Sequence, residues 1–272
     1  MTLRLDRDTT LCISISARPG NTGTRFHNHL YEELGLNWAY KAFAVTDIVG
    51  AVAGVRALGI RGAAVSMPHK EAVIPLVDEM APSAAAIGAV NTLVNDAGRL
   101  TAHNTDYVAV ARLVADRGVD PATPVVLRGS GGMAKATAAA LCDAGFATGT
   151  VVARNEESGR ALAERCGWAW RPDLPDIDGA LLVNVTPIGM AGGAEADDLA
   201  FPEAAIAAAA TVFDVVALPP ETPTIRAARR LGRPVITGAE VMTLQAVEQF
   251  VLYTGIRPSE AAIARAAAFS RA

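Results

Sequence analysis

The run Gly-Ser-Gly-Gly-Met-Ala-Lys-Ala at 129–136 constrains the fold most, because apolar Val125, Val126 and Leu127 precede it and helix-forming residues follow as far as Cys142. A strand, a glycine turn and a helix in that order make the spacing Gly129, Gly131, Ala134 readable as a dinucleotide-binding turn of the G-x-G-x-x-G/A kind. Gly129 would permit the tight turn, Gly131 would let the backbone approach a pyrophosphate, and Ala134 is small enough for the helix to pack closely on its strand. The phosphates would sit on the unpaired N–H groups and positive dipole end of the new helix, with Ser130, Gly132 and Met133 completing the turn. A plain strand–helix turn is the other reading of these glycines.

With 272 residues, 51% of them hydrophobic, the chain can form one large or two ordinary domains around a proper core. A net charge of −4 without a block of like charge argues against a nucleic-acid surface. No apolar run approaches a membrane span, and the alternating charges of residues 1–8 do not build a signal-peptide core, so a cytoplasmic protein is expected. Cys12, Cys142 and Cys166 lack metal-ligand spacing and read as small buried hydrophobes, and the four histidines form no metal pattern.

Apolar, β-branched runs alternate with helical patterns nearly throughout, which predicts an α/β protein with largely parallel sheets. In the first part the pattern predicts strands at 11–14, 39–43 and 62–65, helices at 27–34, 46–58 and 70–80, a hairpin over 89–101 and a helix over 106–117. The second part repeats strand then helix, with strands at 125–128, 150–154, 180–185, 211–216 and 234–236 and helices at 133–144, 156–166, 201–209 and 224–231. That is a Rossmann-type pattern. Two further helices, 239–254 and 258–269, could cap that sheet or return to the first part.

Several polar runs fall at strand ends or helix starts, where open α/β sheets bind ligands. Val65–Glu71 leaves a strand, turns at Pro68 and puts Lys70 in the first turn of the helix expected there, a position set against the helix dipole that suits an acid–base group; an ordinary exposed lysine is the alternative. Asn104, Thr105 and Asp106 stand where the hairpin gives way to a helix, and Asp106 could be an N-cap. Asn91 and Thr92 close the apolar stretch Ala89-Val90. Arg154 stands at the end of the second Rossmann strand, where an acid would hold the ribose of NAD; an arginine suits the 2′-phosphate of NADP, so NAD is the less favoured cofactor. The loop at 184–190, with Thr186, could pass beside a nicotinamide ribose, and Gln245 lies on a largely apolar helix face, as a core glutamine or a ligand contact.

Taken together these runs resemble the shikimate dehydrogenase family, in its order, across nearly the whole chain. The likeness is to its V-T-x-P-x-K loop (Ser66, Pro68, Lys70), V-N-T (Val90, Asn91, Thr92), N-T-D (Asn104, Thr105, Asp106), the glycine turn, the N-R-T-like strand end (Ala153, Arg154, Asn155), N-x-T-P-x-G-M (from Asn184) and the late G…M…L-x-x-Q-A helix (Gly238 to Gln245). The resemblance implies an N-terminal α/β substrate domain, 1–105 joined by 239–272, and a Rossmann-type NADP domain, 106–238, with the C-terminal helices returning to the first domain and the active site in the cleft between. It implies Lys70 and Asp106 as the catalytic pair, Asn91 and Gln245 on substrate hydroxyls, and Ser66 lining the same pocket. Gly129, Ser130, Gly131, Gly132, Met133, Ala134, Arg154, Asn155, Thr186, Val215 and Gly238 would hold NADP(H). The implied reaction is reversible hydride transfer between NADPH and 3-dehydroshikimate, a step of the shikimate pathway of aromatic amino acid biosynthesis, by a monomer or homodimer.

Two departures bear on the substrate. Where the family has S-x-S-P shortly before H-N, gripping the substrate carboxylate, this chain places Asn21–Thr24 before His27-Asn28; Thr24 is the favoured replacement, with Ser16 as an alternative and Arg18 and Arg25 nearby. Where the family has a tyrosine after Asp214-Val215-Val216, this chain has Ala217. Both resemble the shikimate dehydrogenase-like branch of the family. Shikimate or a close analogue is the first expectation; quinate or another cyclic polyol, and a non-catalytic ligand and NADP sensor, are the competing ones.

Overall fold

The computed structural model describes residues 5–85, 87–175 and 178–271. They form two compact units, one of the chain up to Thr105 together with the chain from Thr243 onward, the other of Asp106–Met242.

The first unit is built on β1 (Thr10–Ser16), β2 (Trp38–Ala44), β3 (Gly62–Val65), β4 (Glu79–Met80), β5 (Thr92–Asp96) and β6 (Arg99–His103), in the sheet order β2-β1-β3-β5-β6-β4. Strands β2, β1 and β3 run parallel, and the hairpin β5–β6 pairs antiparallel with β3. Because a strand's side chains alternate between faces, Cys12 of β1 enters one core while Ile13 and Ile15 enter the other. The first core joins α1 (Thr22–Glu33), through Phe26, Leu30 and Tyr31, to Phe250 and Tyr253 of α9 (Gly238–Thr254) and Ala266 of α10 (Glu260–Arg271). The second packs Val52 and Val55 of α2 (Ile48–Ala57) and Ala84 of the short α3 (Pro82–Ala85) with Val65, Leu93 and Leu100. The C-terminal helices thus complete the core of the N-terminal unit.

The hairpin has the two-residue turn Ala97-Gly98, both at positive φ (+52° and +93°), the combination that matches the right-handed twist of the flanking strands. Asn95 Oδ1 accepts from Gly98 N at 2.8 Å and fixes it.

The helix expected at 70–80 does not form: residues 67–73 run through successive turns, a single 3-10 turn covers Ile74–Leu76, and β4 follows. Pro75 is the reason. It lacks the N–H an interior helical position must donate, and it pushes Ile74 away from α geometry. Lys70 therefore has no helix dipole beneath it. Helix α1 begins at Thr22, five residues before the expected 27, since Phe26 and Leu30 bury one face from the first turn on.

The second unit contains β7 (Val125–Arg128), β8 (Gly149–Val152), β9 (Ala169–Arg171), β10 (Leu181–Asn184), β11 (Thr211–Asp214) and β12 (Val235–Thr237), in the order β12-β11-β10-β7-β8-β9 and all parallel. Counted from β7 this is the doubly wound order 3-2-1-4-5-6, so the chain reverses direction across the sheet between β7 and β10. Helices α4 (Thr105–Asp116), α5 (Gly132–Asp143), α6 (Glu156–Arg165), α7 (Glu203–Ala208) and α8 (Pro223–Arg230) lie between strands or precede them. Edge strand β9 is absent from the sequence expectation; three residues long, it depends on pairing with β8 and on Trp170 packing against Gly159, where an added Cβ would lie 2.4 Å from the indole. Cys142 and Cys166 are half-buried neighbours, whereas Cys12 is fully buried as expected. Among the described residues no helix is long and apolar enough to cross a membrane, and no group of His, Cys, Asp or Glu could hold a metal ion.

Candidate active site

In the first unit the polar residues gather at the carboxyl ends of β1 and β3, where β5 also begins because it runs the other way. Backbone bonds knit three segments there: Ser66 N to Ile15 O at 2.9 Å, Val65 N to Asn91 O at 2.8 Å, and Val90 N to Lys70 O at 2.9 Å. The Val65–Lys70 turn, the end of β1 and the 89–91 stretch are therefore one construction. Ser16 is buried at the end of β1, Ser66 is exposed, and Lys70 is half-buried.

Asn91 organises this edge. Only 2% exposed, its Oδ1 accepts from Thr105 N at 2.8 Å, Thr105 Oγ1 at 3.2 Å and Thr92 Oγ1 at 2.8 Å, while Nδ2 faces Gln245 Oε1 at 3.5 Å. One amide thus ties the start of β5 to the residue preceding Asp106. Asn104 Nδ2 donates to Ala89 O at 2.9 Å and closes the same corner. One turn beyond Gln245, buried Gln249 donates to Thr92 Oγ1 at 3.0 Å and to the Asn91 carbonyl at 3.4 Å. Sequence reasoning missed Gln249; the signal is its spacing of four from Gln245, which puts both amides on one helix face. Gln249 is the core glutamine, and Gln245 is half-exposed beside it.

Thr24 lies in the first turn of α1 with its hydroxyl buried and without a hydrogen-bond partner among the described residues. His27 is fully buried and stacks on Tyr40 with ring centroids 4.4 Å apart and planes 9° apart, while Asn28 exchanges two hydrogen bonds with the backbone of Tyr40. Burial pushes the imidazole from an ordinary 6.5 down to about 3, an effect the neighbouring Gln249 side chain only partly opposes.

In the second unit a crevice of about 520 Å³ opens where the strand order reverses, lined among others by Arg128, Gly129, Ser130, Gly131, Arg154, Asn155, Thr186 and Glu195. Six expected cofactor residues thus line one crevice. Gly129 holds φ +125°, and an added Cβ would lie 2.9 Å from Val185 Cγ2, so both conformation and space require glycine. Beside Gly131, the N-cap of α5, an added Cβ would meet nothing within 4 Å, and no side chain caps the helix. The N–H groups of Gly132, Met133 and Ala134 consequently have no acceptor within the helix. These three do not line the crevice; Ala134 is fully buried, as close helix–strand packing requires.

Arg154 lies two residues past β8, which ends at Val152 and not at the expected 154. Asn155 caps α6, accepting from Ser158 N at 2.9 Å, and Ser158 Oγ meets Ser130 Oγ at 2.8 Å, which joins the glycine turn to the second strand end. Thr186 is held by Asn184, whose Oδ1 accepts from Thr186 N at 3.1 Å and Oγ1 at 2.6 Å. Asn184 in turn donates to buried Asp214 at 3.0 Å, and Asp214 also accepts from Thr222 Oγ1 at 2.7 Å and Val216 N at 3.0 Å. Burial raises the Asp214 carboxyl above its usual range, and its hydrogen bonds oppose the shift. Val215 and Gly238 lie outside the crevice wall but against one another: a Cβ on Gly238 would fall 2.3 Å from the Val215 carbonyl oxygen. Asp214 carries no role in the motif pattern; its strand-end position beside Val215 is the signal available for it.

The donor set fits a dinucleotide: free helix N–H groups for a pyrophosphate, an open glycine face for close approach, and guanidinium groups for further phosphate. A family model described as the shikimate dehydrogenase substrate binding domain matches residues 22–93. A shikimate dehydrogenase-like protein of Haemophilus influenzae is 54% identical over 98% of this chain and 98% of its own length. A shikimate dehydrogenase (NADP(+)) of Citrifermentans bemidjiense is 35% identical over 89% of this chain and 88% of its own. The crystal structure of shikimate 5-dehydrogenase from Thermus thermophilus in complex with NADP(H) and shikimate superposes with a TM-score of 0.84 at 29% identity, covering 96% of this chain and all of the other. The chain belongs to the shikimate dehydrogenase family of oxidoreductases, in its shikimate dehydrogenase-like branch.

Proposed function

We propose that this protein is an NADP-dependent oxidoreductase that interconverts a ring ketone and an alcohol on shikimate or a close polyol carboxylate analogue. The single observation that carries the reading is the crevice at the β7/β10 reversal, which the glycine turn, Arg154 and Thr186 line together. Relatives bearing the name shikimate dehydrogenase (NADP(+)) support the same cofactor. When bound, NADPH supplies the hydride.

The N–H groups at the start of α5 would take the pyrophosphate, Arg154 the 2′-phosphate, and Thr186 the nicotinamide side. Residues 1–105 with 239–272 would form the substrate domain and 106–238 the cofactor domain. Lys70 Nζ would stabilise the negative charge growing on the ketone oxygen and donate the proton that makes the alcohol; a preorganised donor of this kind is worth roughly 3–4 kcal/mol of barrier. Asp106, 6% exposed and next in the chain to Thr105, which Asn91 pins, would orient Lys70 and accept a substrate hydroxyl. Asn91 Nδ2 and Gln245 would meet further hydroxyls, with Ser66 beside them. Thr24 or Ser16 would serve the carboxylate end. In Thr24 the unpaired hydroxyl supports the reading, since it has an acceptor or donor still to gain.

The test mixes purified protein with NADP or NAD and shikimate, quinate or aminoshikimate and follows nicotinamide absorbance. Shikimate oxidation with NADP, abolished in Lys70→Ala, is the expected result. Turnover of another polyol alone would move the substrate and keep the mechanism. Silence with every substrate and both cofactors would refute the catalytic reading in favour of ligand sensing.

A further inference from the structure

Arg128 is the last residue of β7, in register with Val152 of β8 and Asn184 of β10, so its side chain rises at the reversal point itself and lines the crevice. Nothing in the glycine-turn pattern calls for a cation there. Half-buried, its Nη1 donates to the carbonyl of Ala200. That anchor is rigid: Ala200 is fully buried, and its N–H donates to Thr224 Oγ1 at 2.9 Å. A neutral carbonyl leaves the charge uncompensated, and Arg128 forms no ion pair with a carboxylate among the described residues.

Arg154 lines the same crevice, its guanidinium without a hydrogen bond or ion pair among the described residues, and its like charge acts on Arg128. Burial holds the Arg128 guanidinium below its usual range; Glu195, which lines the same crevice, opposes that shift, and Arg154 adds to it. Glu195 is fixed by a turn, its carbonyl accepting from Gly189 N at 2.8 Å and from Asp198 N at 3.3 Å. Two guanidinium groups therefore converge on one cavity, with a carboxylate nearby that is not in contact with either. A dianion between the arginines resolves this repulsion better than any monoanion.

We infer that Arg128 is a second cation for the 2′-phosphate of NADP, acting with Arg154, and that Glu195 is the counter-charge limiting how tightly that phosphate is held. The inference rests on the NADP reading above and assigns it a specificity residue within this chain. Arg128 presents a fixed donor because Ala200 holds its other edge, so little side-chain freedom is lost on binding.

The experiment is calorimetric titration of unmutated protein, Arg128→Leu, Arg128→Lys and Glu195→Gln with NADP+ and NAD+ in the absence of substrate, together with thermal melting of each variant. Arg128→Leu is expected to weaken NADP+ binding about tenfold while NAD+ changes less than about twofold, the scale of one charge-assisted hydrogen bond. Arg128→Lys should keep most of the NADP+ affinity, and Glu195→Gln should strengthen NADP+ about threefold without moving NAD+. Equal weakening of both dinucleotides in Arg128→Leu would overturn the inference, since it would mean that Arg128 only holds the Ala200 loop. Unchanged binding of both would overturn it as well. Unmutated protein that bound NAD+ but not NADP+ would remove the role of Arg128 alone, whereas binding of neither would remove the cofactor reading beneath it.

Discussion

His27 makes the N-terminal unit acid-sensitive, and replacing it with phenylalanine should remove that sensitivity. The imidazole is fully buried between Tyr40 and Phe250, and neither ring nitrogen has a hydrogen-bond partner among the described residues. Folding therefore holds it neutral: its folded-state value is depressed from 6.5 to about 3. Below pH 6.5 the unfolded chain binds a proton that the folded chain refuses, so stability is fully present above 6.5, falls as pH drops towards 3, and levels off beneath it. Between pH 7 and pH 5 this one group should remove about 2 kcal/mol. Phenylalanine can occupy the same stacked position against Tyr40 and cannot titrate. Urea unfolding of both proteins at pH 7 and pH 5, followed by circular dichroism, isolates the effect, because every other titrating group is common to them. The unmutated protein should lose about 2 kcal/mol more than His27→Phe over that interval. Equal losses would falsify the argument and mean that the imidazole finds a partner in the folded state.

Other perturbations test the site. Lys70→Ala should lower kcat by a factor of about 10² to 10³ with cofactor affinity unchanged, read by steady-state kinetics and calorimetry; a shift in KM alone would deny it proton transfer. Gly238→Ala sets a Cβ 2.3–2.4 Å from backbone atoms of Val215 and Val216, which cannot yield like a side chain; destabilisation of about 3 kcal/mol is expected in thermal melting, and an unchanged melting temperature would refute the packing argument. Asp214→Ala leaves the Asn184, Thr222 and Val216 donors without their shared acceptor, which should cost about 3 kcal/mol or more and loosen the Thr186 loop, seen as weaker NADP+ binding. Gly129→Ala should abolish NADP+ binding in protein that still folds, whereas retained affinity would show that the turn tolerates the left-handed conformation with a side chain.

What was legible in the sequence was local or periodic. The glycine turn forms between an apolar strand and a helix as its spacing predicts, because each of its parts acts on its nearest neighbours. The Ala97-Gly98 hairpin and the alternation producing β7 to β12 follow for the same reason. Residues 70–80 carry an apolar pattern of helical spacing, but the missing N–H of Pro75 overrides it. β4 and β9 were not legible at all: strands of two or three residues exist only through the neighbour they pair with.

Motif order alone indicated Lys70, Asn91, Asp106, Arg154 and Gln245 as a candidate set. The sequence by itself determined the doubly wound sheet, its glycine turn and the family, since these depend on residue type at fixed short spacing. Only the tertiary structure decided that Asn91 ties β5 to Thr105, that Gln249 and not Gln245 is the buried amide, that His27 is entombed without a partner, and that Arg128 and Arg154 line one crevice. Each of these joins residues far apart in the chain. Burial and charge at such meetings are properties of the packed surroundings, which no local pattern encodes.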